Sequence, residues 1–156
     1  MPPGETIREI LETAAASHKR TARRRDRRGA VSWWPTRTRA VIELCLRYKT
    51  DDEFWFSFFH EAGHLLLDDR KSSRIGDLNG DSLAEARADD FAANLLIPPA
   101  GYASFSPEGT PGRIEVLEFA AQIDIAPGIV VGRLQRDESI PQNWLNDLKV
   151  KLEWLP

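Results

Sequence analysis

The chain has 156 residues, 42% hydrophobic and 29% charged with five tryptophans, the make-up of one folded domain with a hydrophobic core and a short appendage. No apolar run approaches the roughly 20 residues of a membrane span, and the start, MPPGETIREI, lacks a basic stretch followed by an apolar one, so a cytoplasmic location is expected. Cys45 is the only cysteine, which excludes an intrachain disulfide and a thiolate metal cluster and leaves His and carboxylates as metal donors.

Residues 1–30 carry 8 Lys and Arg against 4 Asp and Glu, net +4, so within a total of −3 the remainder holds −7. Ile7, Ile10, Leu11, Ala14 and Ala15 recur at helical spacing, which predicts an amphipathic helix over 4–18. The run HKRTARRRDRRG follows, so residues 1–29 read as a basic helix and arm. Such a run contacts nucleic acid or an acidic partner, or is simply solvated; no aromatic residue is interleaved for base stacking. From Ala30, AVSWW and AVIELCLRY are rich in β-branched and aromatic residues. In the second, Ile42, Leu44, Leu46 and Tyr48 alternate with Glu43, Cys45 and Arg47, the pattern of a half-buried strand.

A helix is predicted from an N-cap at Thr50 or Asp51 to about Leu67, with Trp55, Phe58, Phe59, Ala62 and Leu66 facing the core. The polar segment DDRKSSRIGDLNGDS is a loop. A second helix is expected from about Ser82 to Ile97, stopped by Pro98-Pro99, with Ala84, Ala88, Phe91, Ala92 and Leu95 buried. Residues 98–113 read as loop. RIEVLEFAAQI and PGIVVGRLQR then form two short helices joined by a tight turn, with Pro127 at a first helical position. Trp144, Leu145, Leu148 and Trp154 make the tail apolar enough to pack.

The chemistry lies in FFHEAGHLLL. Four residues turn a helix by about 400°, so His60 and His64 project from one side, a turn apart, and can reach one ion. Zinc favours four ligands, and a catalytic zinc keeps one position for water, so a third protein ligand is required. Glu61, about 100° round from His60, is placed to act on that water as a general base and to return the proton to a leaving amine. The alternative is a structural helix whose imidazoles bond backbone carbonyls. His18, the remaining histidine, lies in the basic arm and reads as solvent-exposed.

The third ligand is sought in SLAEARADDFAANLLIP. Glu85 and, one turn on, Asp89 share a helix face at the border of the Ala84 and Ala88 stripe. One acid would bind the metal while the other accepts the free N–H of a ligating imidazole; Glu85 is read as the ligand and Asp89 as the acceptor. Ser82-x-x-Glu85 is also a capping box, in which Glu85 would serve only the helix start. Asp68, Asp69, Asp77 and Asp81 compete but lie in the loop or at a helix start. The ion is read as a single Zn2+, with Mn2+ or another divalent ion open to the same donors.

These blocks, LRYKTDDEFWFSFFHEAGHLLL, EARADDFAANLLIPP, IAPGIVVGRLQ and LKVKLEW, resemble the ImmA/IrrE family of zinc metallopeptidases from about residue 30 onward. The resemblance implies His60, His64 and Glu85 as zinc ligands and Glu61 as catalytic base. It also implies an α+β, zincin-like fold over 30–156. In that fold a small antiparallel sheet packs on the HExxH helix and on a second helix bearing Glu-x-x-x-Asp, followed by a helix-turn-helix-like hairpin at about 113–137. Family members cleave a helix-turn-helix repressor and release stress-response or mobile-element genes. The basic arm here is too short for an Xre DNA-binding domain, so the repressor would be a separate protein. Arg87 stands where members often have an acid. No histidine follows the motif, which leaves Tyr102, Tyr48 or Arg133 to stabilise an oxyanion, each equally readable as packing or surface.

Three readings therefore stand. A zinc endopeptidase would take a protein substrate, its strand at 40–48 open to strand addition. A DNA-binding regulator would use 113–137, with Ala120, Ile125, Val130 and Leu134 as core and Arg133, Gln135 and Arg136 for contacts. The acidic body and the Pro-Gly-Ile-Val-Val start of its second helix oppose direct nucleic-acid binding. An antitoxin-like binding module would keep the fold without turnover, though a purely structural site needs no Glu61. Cys45, with no histidine near it in sequence, reads as a small apolar residue.

Overall fold

The computed structural model describes residues 30–36, 38–45, 49–67, 82–105 and 109–152. The expected helix and arm over 1–29, Tyr48, Trp154 and the acids Asp68, Asp69, Asp77 and Asp81 lie outside them. Two short strands, β1 (Ala30–Trp33) and β2 (Val41–Leu44), pair antiparallel with Ala30 opposite Leu44 and Trp33 opposite Val41. Five α-helices follow among the described residues: α1 (Asp51–Leu67), α2 (Ser82–Leu96), α3 (Pro99–Ser104), α4 (Arg113–Gln122) and α5 (Pro127–Arg136). A 3-10 turn lies at Asn146–Leu148. The class is α+β, helix-rich with a small antiparallel sheet. No described helix is long and apolar enough to cross a membrane.

The chain divides into two compact units, Met1–Cys45 with Ser57–Phe91 and Leu46–Phe56 with Ala92–Pro156, so α1 and α2 are each shared between them. In the first unit Ile42 of the sheet, Ala40 just before it, and Phe58, Ala62 and Leu65 of α1 form one buried cluster, with Phe91 of α2 packed against it. The expected stripe on α1 is therefore corrected. Trp55 and Leu66 are exposed, and Leu65 takes the inward place. With FWFSFF and LLL in one helix, apolar side chains occur nearly all round, and periodicity alone does not select the buried line. On α2, Ala88 and Ala92 are fully buried as expected, whereas Leu95 is exposed.

α1 starts where the sequence places it. The Thr50 carbonyl accepts the first helical bond from Phe54 N at 2.9 Å, and Asp51, Asp52 and Glu53 put negative charge against the helix dipole in the first turn. The Thr50 hydroxyl is turned to Asp52 Oδ1, 2.5 Å away, rather than to the helix backbone.

In the second unit Val116, Phe119 and Ala120 of α4 meet Ile129, Val130, Val131 and Leu134 of α5, together with Ile97 and Ile140. The turn between the helices is closed by Ile125 N to Ala120 O at 3.0 Å, with Asp124 at φ 54, a left-handed cap that Asp tolerates. Residues 98–113, expected as loop, contain α3. Pro98 ends α2, while Pro99 falls at the start of a new helix, where its fixed φ and missing N–H cost nothing. Leu145 and Leu148 pack on the core but Trp144 is exposed. Residues 149–152 return to the start of α1: Asp51 N donates to Val150 O at 2.8 Å and Leu152 N to Lys49 O at 3.1 Å. There Lys149 Nζ lies 2.7 Å from Asp52 Oδ2, both side chains nearly buried.

Candidate metal centre

α1 and α2 bring His60, His64, Glu85 and Asp89 together in the first unit. Their proximity depends on a small contact. A Cβ added to Gly63 would stand 3.1 Å from Ala88 Cα and 3.3 Å from Phe91 Cδ1, so the helices pass close enough there that a methyl would crowd its neighbours. Ser32 Oγ of β1 donates to the Glu61 backbone carbonyl at 3.3 Å and ties the sheet to the same turn of α1.

The imidazole Nε2 atoms of His60 and His64 are 3.1 Å apart. Glu85 faces both rings, Oε2 at 3.5 Å from His60 Nε2 and Oε1 at 3.3 Å from His64 Nε2. On the far side of His60, Nδ1 lies 2.8 Å from Asp89 Oδ1. A carboxylate accepts, so Nδ1 carries the proton and donates to Asp89, which leaves the His60 Nε2 lone pair aimed at His64 and Glu85.

A single proton on His64 Nε2 serves only part of this arrangement, whereas a cation among the three side chains serves every facing atom. Nitrogen and oxygen donors about 2.0–2.1 Å from a tetrahedral ion stand about 3.3 Å from one another, and the three separations here, 3.1, 3.3 and 3.5 Å, bracket that value. Among the described residues, His60, His64 and Glu85 are the group whose ligand atoms converge in this way. The donor set thus fits a divalent metal. His60 forms an inner wall at 2% exposure and Glu85 an outer lip at 48%, so solvent reaches the centre from the α2 side. Glu61 is buried on α1 next to His60.

Tyr102 and Arg133 belong to the second unit, where the Tyr102 hydroxyl donates to Asp137 Oδ2 at 2.7 Å and Arg133 Nε donates to the same oxygen at 2.7 Å. The Arg133 guanidinium also lies 4.4 Å from the centre of the Tyr102 ring. Burial first, then the bond to Asp137, pushes the Tyr102 hydroxyl up to about 12. These contacts join the two side chains to each other and to Asp137.

Of the side chains expected to reach bases, Gln135 is buried. The two N–H groups on its Nε2 are shared among Gln142 O, Trp144 O and Asn146 Oδ1 at 2.9–3.1 Å, and its Oε1 accepts from Lys149 Nζ at 2.7 Å. Arg136 stacks over Phe56, 3.1 Å from the ring centre. Cys45 is half-buried, in keeping with a packing role. Ser32 and Asp137 escaped the sequence reading, since a lone Ser on a strand and an Asp after a helix carry no spacing signal.

No curated protein and no solved structure gives a match. The family described as the IrrE N-terminal-like domain, peptidase M78, matches residues 6–118, a span that includes both strands, the HExxH helix and the helix bearing Glu85 and Asp89. With that span covering well over half of its length, the chain belongs to the IrrE N-terminal-like, M78 family of peptidases.

Proposed function

We propose that the chain is a zinc-dependent endopeptidase of the cytoplasm that hydrolyses a peptide bond in a separate Xre-type helix-turn-helix repressor, within stress-response, mobile-element or toxin-antitoxin regulation. The observation that carries the metallopeptidase reading is the convergence of His60 Nε2, His64 Nε2 and the Glu85 carboxylate, with Asp89 holding the opposite nitrogen of His60. The choice of repressor rests on the family resemblance. A protein substrate accords with the exposed Glu85 lip, which leaves the centre within reach of a macromolecule.

His60, His64 and Glu85 would hold the ion. When bound, zinc or a similar divalent ion polarises the scissile carbonyl and acidifies a water. Asp89 keeps the proton of His60 on Nδ1 and the ring oriented. Glu61 takes the proton of the attacking water on its carboxylate and delivers it to the nitrogen of the leaving amine.

The test joins metal analysis of the purified protein to a cleavage assay against a repressor encoded beside it. Glu61→Gln should retain the metal and the fold while cleaving at least about a hundredfold more slowly. Undiminished cleavage by this variant would sink the assignment of the base. A stoichiometric metal with repressor bound but never cut would instead favour the binding module.

A further inference from the structure

In the two-stranded sheet of the first unit, Ala30 and Ser32 lie opposite Leu44 and Ile42, and residues directly opposite in an antiparallel pair share a face. Ala30 and Ile42 are buried and Leu44 packs against the α1 cluster, whereas Glu43 between them is exposed. The face turned to α1 therefore reads Ala30, Ser32, Ile42 and Leu44. A hydroxyl among three apolar side chains calls for an acceptor, and Ser32 Oγ finds one in the Glu61 carbonyl at 3.3 Å. That carbonyl already accepts from Leu65 N in the regular ladder of α1, so the bond is an addition to the helix rather than a repair.

The contacts between sheet and helix differ in what they fix. Phe58, Ala62 and Leu65 cluster with Ile42 through apolar surface, which has no directional preference and holds the distance of α1 from the sheet more firmly than its roll. A hydrogen bond is directional. A side-chain tip about 5–6 Å from a helix axis moves about 1 Å for about 10° of roll, a displacement that a proton transfer does not tolerate. His60 is held from the α2 side by Asp89 at 2.8 Å, and the next residue, Glu61, is held through its backbone from the sheet side. We propose that Ser32 is a positioning residue whose hydroxyl fixes the roll of the Glu61 turn, and with it the place of the carboxylate that takes the proton of the attacking water. The role of Glu61 rests on the peptidase reading; the fixing of the turn rests on the hydrogen bond alone.

Ser32→Thr and Ser32→Val make the test, because the two side chains are close in shape, both suit a strand, and they differ in the hydroxyl. In the metal-loaded full chain acting on the repressor encoded beside it, Ser32→Thr should stay within about twofold of the wild-type kcat, while Ser32→Val should lower kcat about threefold to tenfold, the factor of one neutral hydrogen bond. KM and metal affinity, the latter read by chelator competition, should be alike in both. In the metal-free chain, hydrogen exchange of the Leu65 amide, which shares the Glu61 carbonyl, should be faster in Ser32→Val than in Ser32→Thr. Should Ser32→Val fail to fold, Ser32→Ala supplies the same comparison. Equal kcat in the two variants, a loss that falls on KM or on metal affinity instead, or equal exchange at Leu65 would overturn the proposal. A wild-type chain that holds its metal and leaves that repressor whole would count against the peptidase reading, and the exchange comparison would still decide the tie.

Discussion

Both compact units bury polar side chains, and they treat them in opposite ways. In the second unit the buried Gln135 and Asp52 are answered from within the chain, Gln135 by residues 142–149 and Asp52 by Lys149. In the first unit two imidazole nitrogens and a carboxylate turn toward one another at 3.1–3.5 Å, an arrangement that a positive ion would complete. Self-contained polar burial fixes a structure; converging acceptors call for a visitor. The same contrast explains why the hairpin of α4 and α5, which has helix-turn-helix spacing, spends Arg133, Gln135 and Arg136 on internal contacts.

The contrast is breakable, most severely at Lys149. Lys149→Met strands the buried Asp52 carboxylate and should cost about 3–5 kcal/mol in urea unfolding. Adding Asp52→Asn should restore most of the loss, and a double variant as unstable as the single one would show that the pair is not self-contained. Next comes Asp89→Ala, which should lower metal affinity about 10–100-fold, read by chelator competition, while the unfolding midpoint without metal moves little. Equal affinity would mean that His60 needs no acceptor. Gly63→Ala should then cost about 1–3 kcal/mol, because the methyl would press on the Ala88 backbone at 3.1 Å; a neutral outcome would show that α1 and α2 give way easily there.

The smallest effect concerns Tyr102. Its hydroxyl, held up to about 12 against an ordinary 10.0, stays protonated in the folded chain after the unfolded chain has lost the proton, so stability should decline between these two pH values. Tyr102→Phe should flatten that alkaline limb, as pH-dependent unfolding would reveal.

The first unit was the more legible of the two for a related reason. His60, His64, Glu85 and Asp89 announce themselves by four-residue steps on helices whose limits, Asp51–Leu67 and Ser82–Leu96, follow from an acidic first turn and a proline stop. Spacing places both acids on one face. It does not say that Glu85 meets both rings while Asp89 reaches around to Nδ1, which depends on how closely Gly63 lets the helices pass. The second unit hides its logic because the partners of Gln135 come from residues 142–149 and carry no periodic signal. α3 was concealed by the two prolines that mark its beginning, and the inward line of α1 by an excess of apolar residues.

Asp51 Oδ1 accepts from Val150 N, a bond spanning 99 positions of sequence. Neither Asp51 nor Asp52 can be tied down until residue 150 has left the ribosome, so the start of the histidine-bearing helix is among the late arrivals in synthesis. A nascent chain halted after residue 118, where the family match ends, would already contain every side chain of the metal centre and still lack the clasp on that helix.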